Sequence, residues 1–365
     1  RRPPRSTLFP YSTLFRSYHI FFLNVGQGEG SLIVKREIPD SGDAVCTTLL
    51  VDTDRDVIDT VQLVKDSIPK IKKGGKDVHF LDAMVITHPH DDHIGGLDSY
   101  VNDPEIKVGK IFHPDYDFIK DKDTKDYRAY NKLRKDSSSQ SETRLVAGTD
   151  YGNDSGIKFT ALSPPKTIEN ADKFKDQSEK IQVHNQCAVV SVDLNGTKVL
   201  FLGDANQECI KRLMQHYKEK LPAYILSASH HGSNSIFVPE DDVEASLADV
   251  KRGEHADWDE EFLATIDPSY VVISCGEGNT YKHPHSAALE AYKSNLRTVK
   301  RTDDHNTLYF VIDADGSCAS PTSLTTYKEV KDKIKSLFPG NAGSDSSVSS
   351  FFIVGAALPV TPHNA

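Results

Sequence analysis

Six consecutive residues, His88-Pro89-His90-Asp91-Asp92-His93, hold three imidazoles and two carboxylates. Imidazole nitrogen with carboxylate oxygen is a donor set for zinc, and also for manganese or iron. Alternate residues of an extended chain point the same way, so His88 and His90 can face one ion. Asp92 and the adjacent His93 can serve a second. Gly95 and Gly96 allow a tight turn into a following helix. Further along, Leu202-Gly203-Asp204 supplies a carboxylate and Ser229-His230-His231-Gly232-Ser233 supplies two more imidazoles. In Asn279-Thr280-Tyr281-Lys282-His283-Pro284-His285, two histidines flank a proline just before an expected helix. A helix N-terminus favours anions, so a phosphate is expected near His283. His285 reads as an ordinary surface residue or as a second substrate contact.

These residues need elements to place them. Apolar runs predict strands at His19–Val25, Ser31–Lys35, Thr47–Asp52 and Phe80–Thr87, the last running straight into the histidine segment. Short strands follow at Lys110–His113 and Ile157–Leu162. Asn195-Gly196 between Ala188–Leu194 and Lys198–Leu202 is a hairpin signal. Ala223–Ala228 is a strand leading into the His230-His231 pair, and Tyr270–Ser274 and Thr307–Asp313 are two more. Amphipathic helices are expected at Val57–Ile68, Gln207–Tyr217, Ser286–Asn295 and Lys328–Leu337, with another beginning at Leu97–Val101. Residues 114–150 are rich in Lys, Asp, Ser and Tyr and read as an inserted, mostly surface segment with one helix near Lys125–Lys135. Residues 166–182 are polar and expected to be helical. Two groups of strands, each followed by helices, predict an α/β chain in four αββα layers, two sheets face to face with helices outside.

The segment from His88 to His93 resembles the HxHxDH signature of the metallo-β-lactamase superfamily. Phe22-Leu23-Asn24-Val25-Gly26-Gln27-Gly28-Glu29, Leu202-Gly203-Asp204, the His230-His231 motif and the 279–285 motif resemble, in that order, those of the ComEC-type competence hydrolase domain. The resemblance covers roughly residues 19–313 and implies the metallo-β-lactamase fold and a binuclear metal-dependent hydrolase. It implies that His88 and His90 hold one ion, that Asp92 and His93 hold the other with His230, and that Asp204 bridges both. The ions implied are two divalent cations, zinc first and manganese as the alternative. Such a pair, about 3.5–4 Å apart, shares a bridging hydroxide and clamps a phosphoryl or carbonyl oxygen. Asp92, His231 and His283 are then expected at the reacting centre, His231 as a hydrogen-bond donor or acid. Asp52 resembles an aspartate that orients a ligand histidine, or is a turn residue. Gln27, Asn185, Ser233, Asn279 and His285 are expected to support the ligands or touch substrate, Ser233 equally as a helix N-cap. Asn24, Glu29 and Ala188 depart from the family pattern, where Asp, Asp and Ser are usual. His184 and, less well, His113 are the candidates for an additional histidine ligand, and both read as structural.

Bulk properties limit the choice of function. The 365 residues carry 38% hydrophobic and 26% charged side chains, enough for a sizeable core. The net charge of −10 gives no global basic excess of the kind a nucleic-acid binder shows. The run Lys70-Ile71-Lys72-Lys73-Gly74-Gly75-Lys76 could face a phosphate backbone but reads as a solvated loop. Five cysteines without a CxxC pair argue against a disulfide framework or a cysteine zinc site, and suggest a cytoplasmic chain. No apolar run is long enough for a transmembrane helix. Thr7 to Ser17 resemble a translated sequencing adaptor apart from Ser12, so residues 1–17 are read as extraneous. The main domain is then 18–338, and 339–365 a Gly/Ser linker and loose tail. The leading expectation is a phosphodiesterase or nuclease, with single-stranded DNA as a candidate substrate. The alternative is a hydrolase of a small ester, lactone, thioester or phosphocholine-type diester. An oxygen-reducing di-iron protein and a non-catalytic binding module rank below both.

Overall fold

The computed structural model describes residues 15–40, 42–116, 123–136, 143–152, 156–166, 177–238 and 256–340. Its first sheet contains β1 (Phe15–Phe22), β2 (Ser31–Ile38), β3 (Val45–Val51), β4 (Lys70–Lys73), β5 (Lys76–Val85), β6 (Ile106–Phe112), β14 (Thr307–Ile312) and β15 (Thr322–Leu324). Its second contains β7 (Thr149–Tyr151), β8 (Phe159–Ser163), β9 (Val189–Leu194), β10 (Thr197–Phe201), β11 (Ile225–Ser227), β12 (Tyr270–Ile273) and β13 (Thr298–Arg301). The first runs β15-β14-β1-β2-β3-β5-β4, with β6 also paired to β5. The second runs β13-β12-β11-β10-β9-β8-β7.

Side chains alternate across a strand, and that period sorts the core into layers. From β1, Ile20 and Phe22 point between the sheets, where they meet Val190, Val192, Phe201 and Phe310. Phe21 and the following Leu23 point outward, onto α1 (Thr60–Ser67), α3 (Leu97–Asn102), α4 (Lys125–Lys135) and α9 (Tyr327–Leu337). On the second sheet, Leu200 and Leu202 point outward beneath α6 (Gln207–His216), α7 (Ala256–Ile266) and α8 (Ser286–Lys293). Three apolar layers between four structural ones make the expected αββα sandwich. Each fully buried Leu, Ile or Phe contributes about 1.5–3 kcal/mol. Helix ends follow local chemistry. Asp59 caps α1 by accepting from the Val61 and Gln62 amides, and Thr326 and Glu329 form a capping box on α9.

Four readings change. The lysine-rich run is a hairpin rather than a loop: β4 pairs with the start of β5 across Gly74-Gly75, with Lys70, Lys72 and Lys73 exposed. Four exposed residues in a row hide the period-2 signal of an edge strand. The hairpin also lies at the end of β5 away from the histidine segment, about 30 Å along a ten-residue strand. Second, the 114–150 segment enters the core. Tyr116, Tyr127 and Tyr130 are fully buried, and Tyr116 and Tyr130 donate to the carbonyls of Gln186 and Pro114. Third, β13, β15 and α7 were not expected, being short or lying beyond the patterned runs. Fourth, the first strand begins at Phe15 rather than at His19, and residues 15–17 pair with Ile38, Glu37 and Arg36 of β2. Residues 1–14, most of the 166–182 segment and the tail beyond residue 340 lie outside the described residues. Among the described residues, no helix is long and apolar enough to cross a membrane.

Candidate metal centre

The centre forms where β3 and β5 end side by side. Asp52, just past β3, is wholly buried with a left-handed backbone (φ 55°), which Asp tolerates better than most residues. Its carboxylate accepts from the Thr87 amide (2.7 Å) and the Thr87 hydroxyl (2.6 Å), and lies 2.8 Å from His93 Nδ1. One side chain therefore ties the β5 exit to α2 (Asp91–Ile94), the short helix that carries His93. The second sheet joins through Ala188, whose amide donates to the Thr87 carbonyl (2.9 Å). Gly203, ahead of Asp204, has φ 51°, and a Cβ there would meet Cys187 Sγ and Thr87 Oγ1 at 2.7 Å. Only glycine lets β10 turn this close beneath the histidine loop.

Asp204 sits at the middle. Its Oδ2 lies 3.5 Å from the Nε2 atoms of His88, His184 and His230. Its Oδ1 lies 3.0 Å from His93 Nε2 and 3.7 Å from His231 Nε2. His90 Nδ1 is 3.0 Å from His88 Nε2 and 3.1 Å from His184 Nε2. On the other side, His231 Nε2 is 3.3 Å from His93 Nε2 and 3.5 Å from Asp92 Oδ2. Two ligand groups adjoin Asp204: His88, His90, His184 and Asp204 itself, and beside them Asp92, His93 and His231; a third grouping, Glu29, Asp52 and His93, lies behind His93.

The outer nitrogens show that these groups fit cations. His231 Nδ1 lies 2.9 Å from the Ser274 carbonyl, which can only accept. His93 Nδ1 faces the Asp52 carboxylate, and His88 Nδ1 faces a Thr87 hydroxyl (3.2 Å) already donating to Asp52. Each Nδ1 therefore carries the proton and each Nε2 turns a bare lone pair inward. His93 and His231 then oppose two lone pairs at 3.3 Å, next to Asp204 Oδ1, which is buried without a hydrogen bond despite its closeness to His93. Lone pairs this crowded need a positive charge among them.

Protons can meet the same crowding of lone pairs. Burial pushes His93 down, yet Asp204 and Asp52 outweigh it and hold it well above its ordinary pKa. His231 is raised in the same way, by Asp204 and Asp92 against burial. Burial would raise Asp204, but the surrounding His230, His93 and His88 hold it well below the usual carboxylate range. His88 is lowered to about 4, first by burial and then by His93, against the pull of Asp204. Glu29, buried behind His93, accepts from the Ser227 hydroxyl (2.6 Å) and is pushed up to about 7 by burial and by Asp52.

The expected order of the histidine pair is reversed. His231, rather than His230, joins Asp92 and His93. His230 instead approaches Asp204 Oδ2, with its Nδ1 2.9 Å from Ser235 Oγ. Both have left-handed backbones (φ 48° and 54°), a conformation that spacing does not reveal. His184, read from sequence as structural, stands in the first ligand group at the end of α5 (Glu179–Asn185). His113 does not join it, its Nδ1 facing the Pro114 carbonyl. Asn185 is fully buried, donates to Gln177 and is not among the described residues that line the cavity. Ser233 accepts from the Ser235 amide and takes the capping role. Asn279 accepts from the His283 amide and donates to the His283 carbonyl, which fixes that loop. His285 accepts from the Asn234 amide and is a loop tie.

His283 and Gln27 do reach the cavity of about 450 Å³ that opens on the cluster. Gln27 Oε1 accepts from the Gly276 amide, so its amide nitrogen faces His283 Nδ1 at 3.2 Å. His283 Nδ1 is thereby the acceptor and its Nε2 keeps the proton. Burial, then His231 and His285, lower His283 to about 3, so it is a neutral donor at pH 7. Lys180 and Tyr281 also line the cavity; Tyr281 lies within the 279–285 motif without having been given a role, and Lys180 belongs to no motif.

A family model described as the Metallo-beta-lactamase superfamily matches residues 45–277, more than half of the chain. Among curated proteins, the chain is similar to ComE operon protein 3 of Bacillus subtilis, 24% identical over 235 residues, 64% of this chain and 25% of that protein. It is similar to Competence protein ComA of Neisseria gonorrhoeae, 24% identical over 261 residues, 72% of this chain and 29% of that one. Recombination protein 2 of Haemophilus influenzae matches at 23% identity over 289 residues, 78% of this chain and 28% of that one. The chain thus spans under a third of the length of each of these relatives. Similar solved structures include a long form RNase Z from yeast (11% identity, TM-score 0.39, 82% of this chain and 42% of that one). Another is CmlA, a diiron β-hydroxylase from Streptomyces venezuelae (13% identity, TM-score 0.41, 80% and 53%). With the ligand cluster at the ends of β3, β5 and β10, the family match gives one conclusion: the chain belongs to the metallo-β-lactamase superfamily.

Proposed function

We propose that the chain is a binuclear metal-dependent phosphodiesterase with nucleic acid as its substrate class. The observation that carries this reading is the pair of adjoining ligand groups that share the two oxygens of Asp204. His88, His90, His184 and Asp204 Oδ2 would hold one ion; Asp92, His93, His231 and Asp204 Oδ1 would hold the other. An imidazole-rich set favours zinc, with manganese the alternative. When bound, the ions supply Lewis acidity toward a phosphoryl oxygen and lower the pKa of a water.

The chain's own residues supply the rest. Asp52, the Ser274 carbonyl and Thr87 hold three ligand histidines in the tautomer that faces inward. His283, fixed by Gln27 and Asn279, presents an N–H to a non-bridging oxygen of the substrate. His231, expected from sequence as a hydrogen-bond donor or an acid, would instead serve the second ligand group. The names of two curated relatives, Competence protein ComA and Recombination protein 2, support a DNA-related role.

A second reading, hydrolysis of a small diester or ester, is favoured by the limited cavity and by the distance of the lysine hairpin from it. The test is cleavage of linear single-stranded DNA with Zn²⁺ or Mn²⁺, beside a small chromogenic diester and a His90→Ala control. Metal-dependent DNA cleavage lost in the control is expected. Cleavage of the small diester alone would replace the nucleic-acid reading, and cleavage of neither, by folded metal-loaded protein, would refute the phosphodiesterase.

A further inference from the structure

We propose that Tyr281 and Lys180 form a nucleotide-recognition rim on the site cavity, with the Tyr281 ring stacking a nucleobase and the Lys180 ammonium pairing with a phosphate next to the scissile one. This rests on the phosphodiesterase reading above and adds to it the residues that select the substrate.

Tyr281 is a large aromatic side chain left 58% exposed at the mouth of a polar cavity. One face is already occupied. The Tyr281 and His283 rings stack at 5.7 Å with 22° between planes, and His283 and His231 at 6.1 Å with 25°. The rings of His231, His283 and Tyr281 thus follow one another in tilted stacks, with the exposed Tyr281 as the last of the three. A planar base laid on it would extend the row and bring its own phosphate toward His283. The platform is preformed. Asn279 bonds the Gly276 carbonyl and both backbone groups of His283, and His285 Nε2 lies 3.3 Å from the Tyr281 carbonyl. A rigid platform loses little conformational entropy when it binds.

Lys180 is the cation among the residues that line this cavity, where Asp56 and Asp91 are the carboxylates outside the ligand groups. It is exposed, makes no ion pair with a described residue, and is close enough to act electrostatically on both His230 and His283. It sits on the helix that carries His184, so its backbone is anchored to the ligand cluster. Phosphate next to Asp56 and Asp91 is disfavoured by like charge. The side of the cavity that tolerates a further phosphate is therefore the one Lys180 reaches.

The test compares two diesters with the same leaving group, thymidine 5′-(p-nitrophenyl phosphate) and methyl p-nitrophenyl phosphate, on the metal-loaded full chain. Wild type is expected to favour the thymidine ester in kcat/KM. In Tyr281→Ala that preference ratio should fall about 5–150-fold, the range of a base–aromatic stack. In Tyr281→Phe it should persist. Because a ratio is read, general damage to His283 cancels. Lys180→Met should raise KM for pTpT more than for TpT and leave kcat for the two in the same proportion. A ratio unchanged in Tyr281→Ala overturns the base platform, and equal KM effects in Lys180→Met overturn the phosphate contact. If wild type hydrolyses neither ester, the phosphodiesterase reading falls. Equilibrium binding of thymidine 5′-monophosphate then decides the rim independently: weaker binding in Tyr281→Ala supports it, and equal binding refutes it.

Discussion

Replacing Asp52 by Asn is the sharpest probe of how the ligand cluster is held. The substitution keeps shape, and the left-handed backbone at this position (φ 55°) suits Asn as well as Asp. Alanine would add backbone strain and confuse the result. The new amide side chain keeps one oxygen for the Thr87 amide, but its other terminus becomes a donor. That donor faces the Thr87 hydroxyl and His93 Nδ1, which both give protons to Asp52 in the wild type. Either the contact breaks, or His93 switches tautomer and places its proton on the inward Nε2. Both outcomes weaken the second ligand group. Loss of the partner that orients a ligand histidine typically costs 10–100-fold in metal affinity, about 1.4–2.8 kcal/mol. Competition of Zn²⁺ between the protein and a chromophoric chelator reads this directly. Metal affinity unchanged in Asp52→Asn would refute the claim that Asp52 sets the His93 tautomer.

Four other outcomes are expected. His184→Ala should lower the metal content after dialysis from two ions toward one, and retention of two would remove His184 from the first ligand group. Gly203→Ala should destabilise the fold by about 2–4 kcal/mol, from positive φ and from crowding against Cys187 and Thr87, read by denaturant melts. His19 is buried against Ser17 and Tyr309, and burial, then Lys333 and Arg36, lower it to about 4. Its unfolded value is about 6.5, so the unfolded chain binds the extra proton between those values. Its contribution is full above pH 6.5 and is lost as pH falls toward 4, on the order of 3 kcal/mol; His19→Gln, in chelator, should show a correspondingly smaller acid loss, and an identical pH profile would contradict this. Metal binding should release protons, visible as a calorimetric heat that changes with the ionisation enthalpy of the buffer, and a buffer-independent heat would count against it.

The parts of this centre that were legible in the sequence are those whose chemistry is local. The His88–His93 run follows a buried strand, and a donor cluster at a strand exit is visible without a structure. The layered fold was legible because unbroken apolar runs such as Ile20-Phe21-Phe22-Leu23 declare two buried faces. His184 was not legible as a cluster member. It lies 94 positions from His90 and meets it only because the Ala188–Thr87 hydrogen bond docks the start of β9 on the exit of β5. The order of His230 and His231 was hidden for a different reason, since two successive left-handed residues redirect both side chains. Gln27 and Asn279 were named from motif position, and the structure gives each a stated task, orienting His283 rather than meeting the ions. The lysine run was misread because its exposure on every residue erased the strand period.

The arrangement of charge explains why so much of this chain is spent behind its ligands. Glu29, Asp52, Asp54 and Asp204 are all buried, and the ion-pair partners of Glu29, Asp52 and Asp204 among the described residues are histidines. Asp54 Oδ2 has no hydrogen-bond partner, and burial pushes Asp54, like Glu29, up to about 7. Buried carboxylates cost several kcal/mol each unless positive charge meets them. Here no lysine or arginine among the described residues does. The charge can come from protons, which is what the raised His93 and His231 express, or from cations lodged between the same nitrogens and oxygens. Cations hold the geometry better, because they accept the inward lone pairs of His88, His93 and His231 together, whereas a proton satisfies one pair of atoms at a time. Folding and metal occupancy would then be coupled, and the Asp52–Thr87–His93 tie would carry that coupling from the ligand cluster to the ends of both β3 and β5.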